Sequence, residues 1–234
     1  MSAQPPLTLP LPALLDYDGW VNHSGVADGA AALALWAVEG GEVWLRSSVV
    51  AGKSHLVAAL QQEVAEGGAL LAVASGGDGA RPPEELVAGW LQQLGDARRW
   101  LVDVAAGALP AAQQLALFHL IERARRDGRP LLIAWRCPEE GGTVPELASR
   151  LRAMRVVELA PPVADADLLR VLRAELDRMQ WRLDEALLRY MIVHCRRDLE
   201  GLLAALHRLH RRSLAVGIRP SLRNVQRLLA EEAG

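Results

Sequence analysis

The sequence predicts an α/β fold, a parallel sheet with helices on both faces, followed by a smaller all-helical unit. Three observations carry this. Apolar runs of strand length alternate with longer helical patterns from residue 28 to 160, the rhythm of a parallel sheet whose crossovers cover both faces. Beyond Pro161-Pro162 only helical patterns remain. Between the first strand and the following helix stands Ser47-Ser48-Val49-Val50-Ala51-Gly52-Lys53-Ser54, which has the layout of a phosphate loop.

In order, residues 1–18 contain Gln4-Pro5-Pro6-Leu7-Thr8-Leu9-Pro10-Leu11-Pro12, too rich in proline for a helix and suited to an extended arm. Leu7, Leu9 and Leu11 alternate along it, as in a peptide that sets side chains into a partner's pockets. A disordered tail, or a strap folded on the chain's own core, fits the same pattern. Residues 28–38 read as a helix closed by Gly40-Gly41, 42–45 as a strand, and 54–65 as a helix ended by Gly67-Gly68. Residues 69–74 form a second strand. Pro82-Pro83-Glu84-Glu85 opens a helix to about Leu94, with proline and acids in its first turn. A strand over 98–104, a long helix over 110–127, a strand over 129–134, a short helix over 145–153 and a strand over 156–159 complete the core, assigned to 19–160. The helical unit, 161–234, shows patterns at 165–179, 184–194, 197–216 and 221–230, with Asp165, Asp184 and Ser221 as N-caps.

The chain has 234 residues, half of them apolar, enough for a sizeable core. Its formal charge of −2 makes no case for wrapping nucleic acid. Cys137 and Cys195 stand far apart outside any metal-ligand spacing, so a reduced, cytoplasmic setting is expected. There is no signal-peptide pattern, and no apolar run reaches about 18 residues, so no membrane role is expected.

Lys53 is the only lysine in a chain whose other cationic side chains are arginines. A phosphate loop needs it there: backbone N–H groups cradle the phosphates, the ammonium reaches the outer oxygens, and the Ser54 hydroxyl ligates Mg²⁺. The full pattern places glycine where Ser47 stands, and many such loops have another at Val50. Glycine tolerates φ > 0, whereas β-branched Val50 is strained there, so nucleotide binding is expected to be weakened. A plain turn into a helix is the bland alternative. Asp103, at the carboxyl end of its strand, sits where such proteins hold the Mg²⁺ shell. A helix-cap or turn role is its alternative. Its usual acidic neighbour is Val104, so hydrolysis at this chain's own site is poorly equipped.

Several strings resemble the DnaA-related AAA+ family. Pro145-Glu146-Leu147-Ala148-Ser149-Arg150-Leu151 is similar to that group's L-A-S-R-L segment, and Arg197-Asp198-Leu199-Glu200-Gly201 to its R-E-L-E-G segment. Leu45-Arg46-Ser47-Ser48 with Ala51-Gly52-Lys53-Ser54-His55-Leu56 resembles the loop of the Hda branch, the DnaA regulatory inactivators. Leu7-Thr8-Leu9-Pro10-Leu11 is similar to that branch's sliding-clamp motif, with Pro6 in the place of the motif's glutamine.

The resemblance implies an AAA+ core with a helical lid, ATP or ADP with Mg²⁺ held by Ser47, Ser48, Ala51, Gly52, Lys53, Ser54, His55 and Asp103, and Arg197 or Arg196 as second sensor. It implies Arg150 as an arginine finger acting in trans on DnaA's ATP. The implied partners are DnaA and the clamp, with DNA reached only through the clamp; a homodimer is compatible. The first sensor's polar residue is replaced by Trp135 or Arg136. The sequence stops near the fourth lid helix, so DnaA's origin-reading helix-turn-helix domain is not expected.

Overall fold

The computed structural model describes residues 20–75, 81–136, 143–216, 221–223 and 226. Eight helices and five strands are defined within them, close to where periodicity puts them. In order these are α1 (Ala27–Glu39), β1 (Glu42–Arg46), α2 (Lys53–Glu63), β2 (Gly68–Val73), α3 (Pro83–Leu94), β3 (Arg99–Val104), α4 (Ala111–Arg126), β4 (Leu131–Trp135), α5 (Pro145–Ala153), β5 (Arg155–Glu158), α6 (Asp165–Arg178), α7 (Glu185–His194) and α8 (Leu199–Val216). The helix expected over 221–230 and the arm over 1–18 fall largely or wholly outside the described residues.

All strand pairs are parallel, in the order β2-β3-β4-β1-β5. Period-two alternation then sorts the side chains between two faces. Trp44, Trp100, Val102, Ile133 and Trp135 pack with α3, α4 and α5 through Trp90, Leu117, Ile121 and Leu147. Val43, Leu45, Leu101, Leu132 and Ala134 pack on the other face with Leu33 and Trp36 of α1 and Val57 and Leu60 of α2. Both faces are therefore apolar, which is why these strands read as nearly continuous hydrophobic runs. α6, α7 and α8 gather around a third cluster of their own, centred on Leu168, Leu172, Met191, Leu202 and Leu206. Among the described residues no helix is long and apolar enough to cross a membrane.

Helix starts follow local chemistry. Pro83 and Pro145 occupy first-turn positions of α3 and α5. The Asp184 carboxylate accepts from the Ala186 N–H at 3.1 Å, capping α7 as expected. Asp165 does not cap α6: Ala164 holds that position and makes no side-chain cap. Arg197 takes the Asp165 carboxylate instead, at 2.6 Å. Asp198 caps α8 by accepting from the Gly201 N–H at 2.7 Å.

Candidate nucleotide site

The site forms at the carboxyl edge of the three central strands. β4 lies between β3 and β1, with Asp103 in register with Ala134, and Ala134 with Leu45. Asp103 shares the strand face of Leu101, so it emerges on the side of α2, where Lys53 and Ser54 begin that helix. Its neighbour Val104 has the opposite parity and is buried among Trp100 and Val102. The position that would need a second acid is thus filled by core packing.

Gly52 carries the turn into α2 at φ +81°, a conformation that strains any side chain, and it is the only residue of the loop at positive φ. Val50 needs no left-handed conformation, which corrects the strain expected of it. The loop is tied instead through the residue standing where glycine was expected: the Ser47 hydroxyl donates to the Val49 carbonyl at 2.7 Å and accepts from the Lys53 ammonium at 2.8 Å. Ser47 and Ala51 are buried and Ser48 is exposed. Burial lowers Lys53 below the ordinary ammonium range, Arg136 adds to this, and Asp103 opposes it. Burial raises the Asp103 carboxyl, against a hydrogen bond from Ser54 and the field of Lys53. Asp103 Oδ1 is buried with no hydrogen-bond partner among the described residues. An orphaned carboxylate oxygen beside a hydroxyl and an ammonium fits a bound Mg²⁺–phosphate group, since each such atom needs a partner.

Of the two residues at the end of β4, Trp135 is fully buried on the far face and its indole N–H donates to the Gly107 carbonyl at 3.2 Å. Arg136, just past the strand, meets Glu200 of α8 at 3.7 Å, and its charge bears on Lys53.

A cleft of about 660 Å³, open mouth included, adjoins the loop. The loop contributes Val50, Gly52 and His55, the segment before α1 contributes Trp20, Val21 and His23, and α6 and α8 contribute Val171, Ala174, Glu175, Arg178, Leu199 and Leu203. It is apolar with a charged end, where Glu175 accepts from Arg178 at 2.6 and 2.8 Å and lies 2.5 Å from His207 Nε2. Burial pushes Glu175 up, but the Arg178 and His207 bonds outweigh it and hold the carboxyl at about 2. Burial lowers His55, with Glu175 opposing. The segment bearing His23 is pinned to α6: the Ser24 N–H and hydroxyl donate to Asp167 at 3.3 and 3.0 Å, and Arg170 holds the same carboxylate.

Sequence reasoning missed the cleft wall. Nothing in the sequence around Glu175 and Arg178 marks them as a cleft wall, and nothing in the spacing of Trp20, Val21 and His23 connects them to a loop thirty residues on. Conversely, Arg197 lies outside the cleft on Asp165, and Arg196 is 85% exposed beside Asp198 at 3.0 Å. The cleft's cation is Arg178. Arg150 sits on α5, on the face away from Lys53, with Nε 2.6 Å from Glu122 and its guanidinium 5.8 Å from the Phe118 ring centre. Leu7, Thr8, Leu9, Pro10 and Leu11 lie outside the described residues.

No family model and no curated protein matches the sequence. Among solved structures the chain is similar to domain III of the replication initiation protein DnaA from Thermotoga maritima, with a TM-score of 0.68 and 17% identity over 95% of this chain and 98% of that one. It is similar to AMPPCP-bound DnaA from Aquifex aeolicus, with a TM-score of 0.60 and 13% identity over 84% and 65%. It also resembles the RuvB Holliday junction branch migration motor of Thermotoga maritima, with a TM-score of 0.63 and 17% identity over 93% and 72%. At these identities the likeness is one of fold, and that fold is the AAA+ α/β fold in a DnaA-like form.

Proposed function

We propose, from the DnaA-like AAA+ fold as premise, that the chain binds ATP or ADP as a structural ligand and regulates a DnaA partner in the manner of Hda. The observation that carries the nucleotide reading is the convergence of Gly52 at positive φ, Lys53, and the partnerless Asp103 Oδ1 on one sheet edge. Ser47, Ser48, Ala51, Gly52 and Lys53 would hold phosphate, Ser54 and Asp103 the Mg²⁺ shell, and the cleft beside His55 the base. The AMPPCP carried by the Aquifex DnaA structure supports this class of ligand. Bound Mg²⁺–nucleotide supplies opposite charge to Lys53 and Asp103, and its affinity for the folded chain alone stabilises the fold by mass action. Val104, in the place of the second carboxylate, is packed in the core and cannot orient water, so this reading assigns turnover elsewhere.

That elsewhere is the partner's ATP. Arg150, on the face away from the chain's own site, acts in trans; a finger of this kind stabilises charge on the transferring phosphoryl group and gives about 10³ to 10⁵ in rate. To do so it exchanges Glu122 and Phe118 for the phosphoryl oxygens. The arm, 1–18, would dock Leu7, Thr8, Leu9, Pro10 and Leu11 on the sliding clamp, leaving 19–160 as AAA+ core and 161–234 as lid. A second reading is favoured by one contact: Arg150 already has a carboxylate and an aromatic face, as expected of an adaptor that docks without assisting catalysis.

The test is DnaA's ATP hydrolysis in the presence of clamp-loaded DNA, with and without the chain. Acceleration by the parent and its loss with Arg150→Ala is the expected result. Equal acceleration by Arg150→Ala overturns the finger, and binding to DnaA without acceleration by the parent leaves the adaptor.

A further inference from the structure

One helix of the core turns toward solvent a face that its packing does not explain. At the open positions of α1 stand Ala27, Ala31, Ala34, Leu35 and Val38, with only Asp28 and Glu39 charged, and Leu35 and Val38 are 43% and 80% exposed. Their spacing of three and four makes one continuous apolar stripe along the helix, closed by Asp28 at one end and Glu39 at the other. The open positions of α6, by contrast, are mostly charged, Arg170, Arg173, Asp177 and Arg178 among them. The other side of α1 is already committed to the sheet through Leu33 and Trp36. A helix that is apolar all round belongs in an interior, and a contiguous apolar strip on a surface marks a place where something binds.

Charge and reach separate the candidates for that strip. A second copy laid antiparallel on it sets Asp28 of one helix against Glu39 of the other at both ends, like charges side by side. The chain's own arm meets no such cost, because Leu7-Thr8-Leu9-Pro10-Leu11-Pro12-Ala13-Leu14-Leu15 carries no charge. The arm is also delivered to the right side of the sheet. Trp20 packs against the cluster that holds α1, seven residues ahead of Ala27. Nine residues lead from Leu11 to Trp20, a reach of about 30 Å when extended, against about 20 Å for the whole of α1. Leu7, Leu9 and Leu11 fall about 6.6 Å apart along an extended chain, close to the roughly 5–6 Å between Ala31, Leu35 and Val38 on the helix. Prolines hold such a segment extended before it docks and remove backbone donors that an apolar face would leave unpaired.

We propose that residues 7–15 lie as a strap along the open face of α1, setting Leu7, Leu9 and Leu11 against Ala31, Leu35 and Val38, and that this contact in cis competes with any protein whose pockets take the same leucines. The competition rests on the arm-docking reading above; the strap does not. A tethered segment faces its own helix at an effective concentration on the order of millimolar, so even a weak cis contact holds a partner back. The partner must peel the leucines from α1 before it can seat them, and the helix face is laid bare when it does.

The experiment is methyl NMR on the full chain labelled at Ala, Leu and Val, with chymotryptic cleavage within residues 7–18 and titration with sliding clamp as further readouts. Cross-peaks between the methyls of Leu7, Leu9 or Leu11 and those of Ala31, Leu35 or Val38 are expected at a concentration where the chain is monomeric. Leu35→Gln combined with Val38→Gln, both at open positions, is expected to remove those cross-peaks and to speed cleavage about fivefold to tenfold, and Leu9→Ser to act in the same direction. The double variant is expected to bind the clamp about fivefold more tightly than the parent, and Leu9→Ser more weakly. If the monomeric parent shows no cross-peaks from arm to α1, or is cleaved as fast as the double variant, the strap is overturned. Cross-peaks that arise only between differently labelled copies overturn it too and assign the face to a dimer. Strap cross-peaks with clamp binding unchanged in the double variant overturn the competition alone. If neither parent nor variants bind the clamp, the arm-docking reading and the competition fail together, while the cross-peaks still decide the strap.

Discussion

Replacing Gly25 by alanine tests the joint that builds the cleft. A β-carbon at Gly25 would lie 2.3 Å from the Ala160 carbonyl oxygen, 2.8 Å from its carbon and 2.8 Å from the Pro161 oxygen, and every one of these is backbone. Ordinary contact needs about 3.4 Å or more, so two chain segments must part by roughly 1 Å with no rotamer to absorb it. The same residues are joined by the Ala160 N–H donating to the Gly25 carbonyl at 2.9 Å, which the shift would stretch. Overpacking usually costs 1–3 kcal/mol, and rigid backbone on both sides puts Gly25→Ala at about 3 kcal/mol. The displaced segment carries Trp20, Val21 and His23, so the cleft opens as well and nucleotide affinity should fall at least about fivefold. Gly89→Ala is the matched control: an added β-carbon meets nothing within 4 Å in the middle of α3, and helix propensity predicts a gain of about 0.5–1 kcal/mol. Urea denaturation reads both. Gly25→Ala within 0.5 kcal/mol of the parent would refute the geometric argument.

Two further outcomes follow from the cleft. Glu175 is held at about 2, below its ordinary 4.5, so its contribution to stability is present above pH 4.5 and is lost as pH falls toward 2. At full weight that gap corresponds to roughly 3 kcal/mol, and solvent screening at an open cleft reduces it to about 1–2 kcal/mol. Glu175→Gln should therefore be less stable than the parent by that amount at pH 7, with the difference shrinking between pH 4.5 and 2; a difference independent of pH in denaturation curves would contradict the assignment. Trp20 stands 3.6 Å from where a Gly52 β-carbon would be, so nucleotide entering the cleft should change tryptophan emission. Trp20→Phe should remove most of that change and Lys53→Ala all of it; a signal unaltered by Trp20→Phe would mean that the base lies elsewhere.

The core was readable because the central strands β1, β3 and β4 are largely buried on both faces and α1 and α3 end on glycines, Gly40 and Gly95. The loop was readable in what a single residue dictates, Gly52 and Lys53, and misread where hydroxyl chemistry replaced backbone freedom at Ser47. Val104 and Trp135 were legible as departures from a pattern, but only strand parity shows that both lie in the core, leaving Asp103 on the opposite face. Asp165 satisfied the rule for a cap and became an ion-pair partner, because Arg197 offers its carboxylate a stronger donor than the helix end does. The cleft was invisible for a different reason. Its walls come from the segment before α1, the start of α2, and turns of α6 and α8, and neither period nor spacing links positions joined only by tertiary packing.

The solitary lysine gives the chain an unusual chemical address. Twenty-five arginines are inert to acylating reagents, whereas the one side-chain amine sits inside the phosphate loop with its proton already loosened by burial. Apart from any free α-amine, a reagent that consumes amines reads a single position, and that position is the one a phosphate would cover. The composition that made Lys53 conspicuous in the sequence thus makes the loop a built-in reporter, whose modification tracks occupancy without a probe, a tag or an introduced residue.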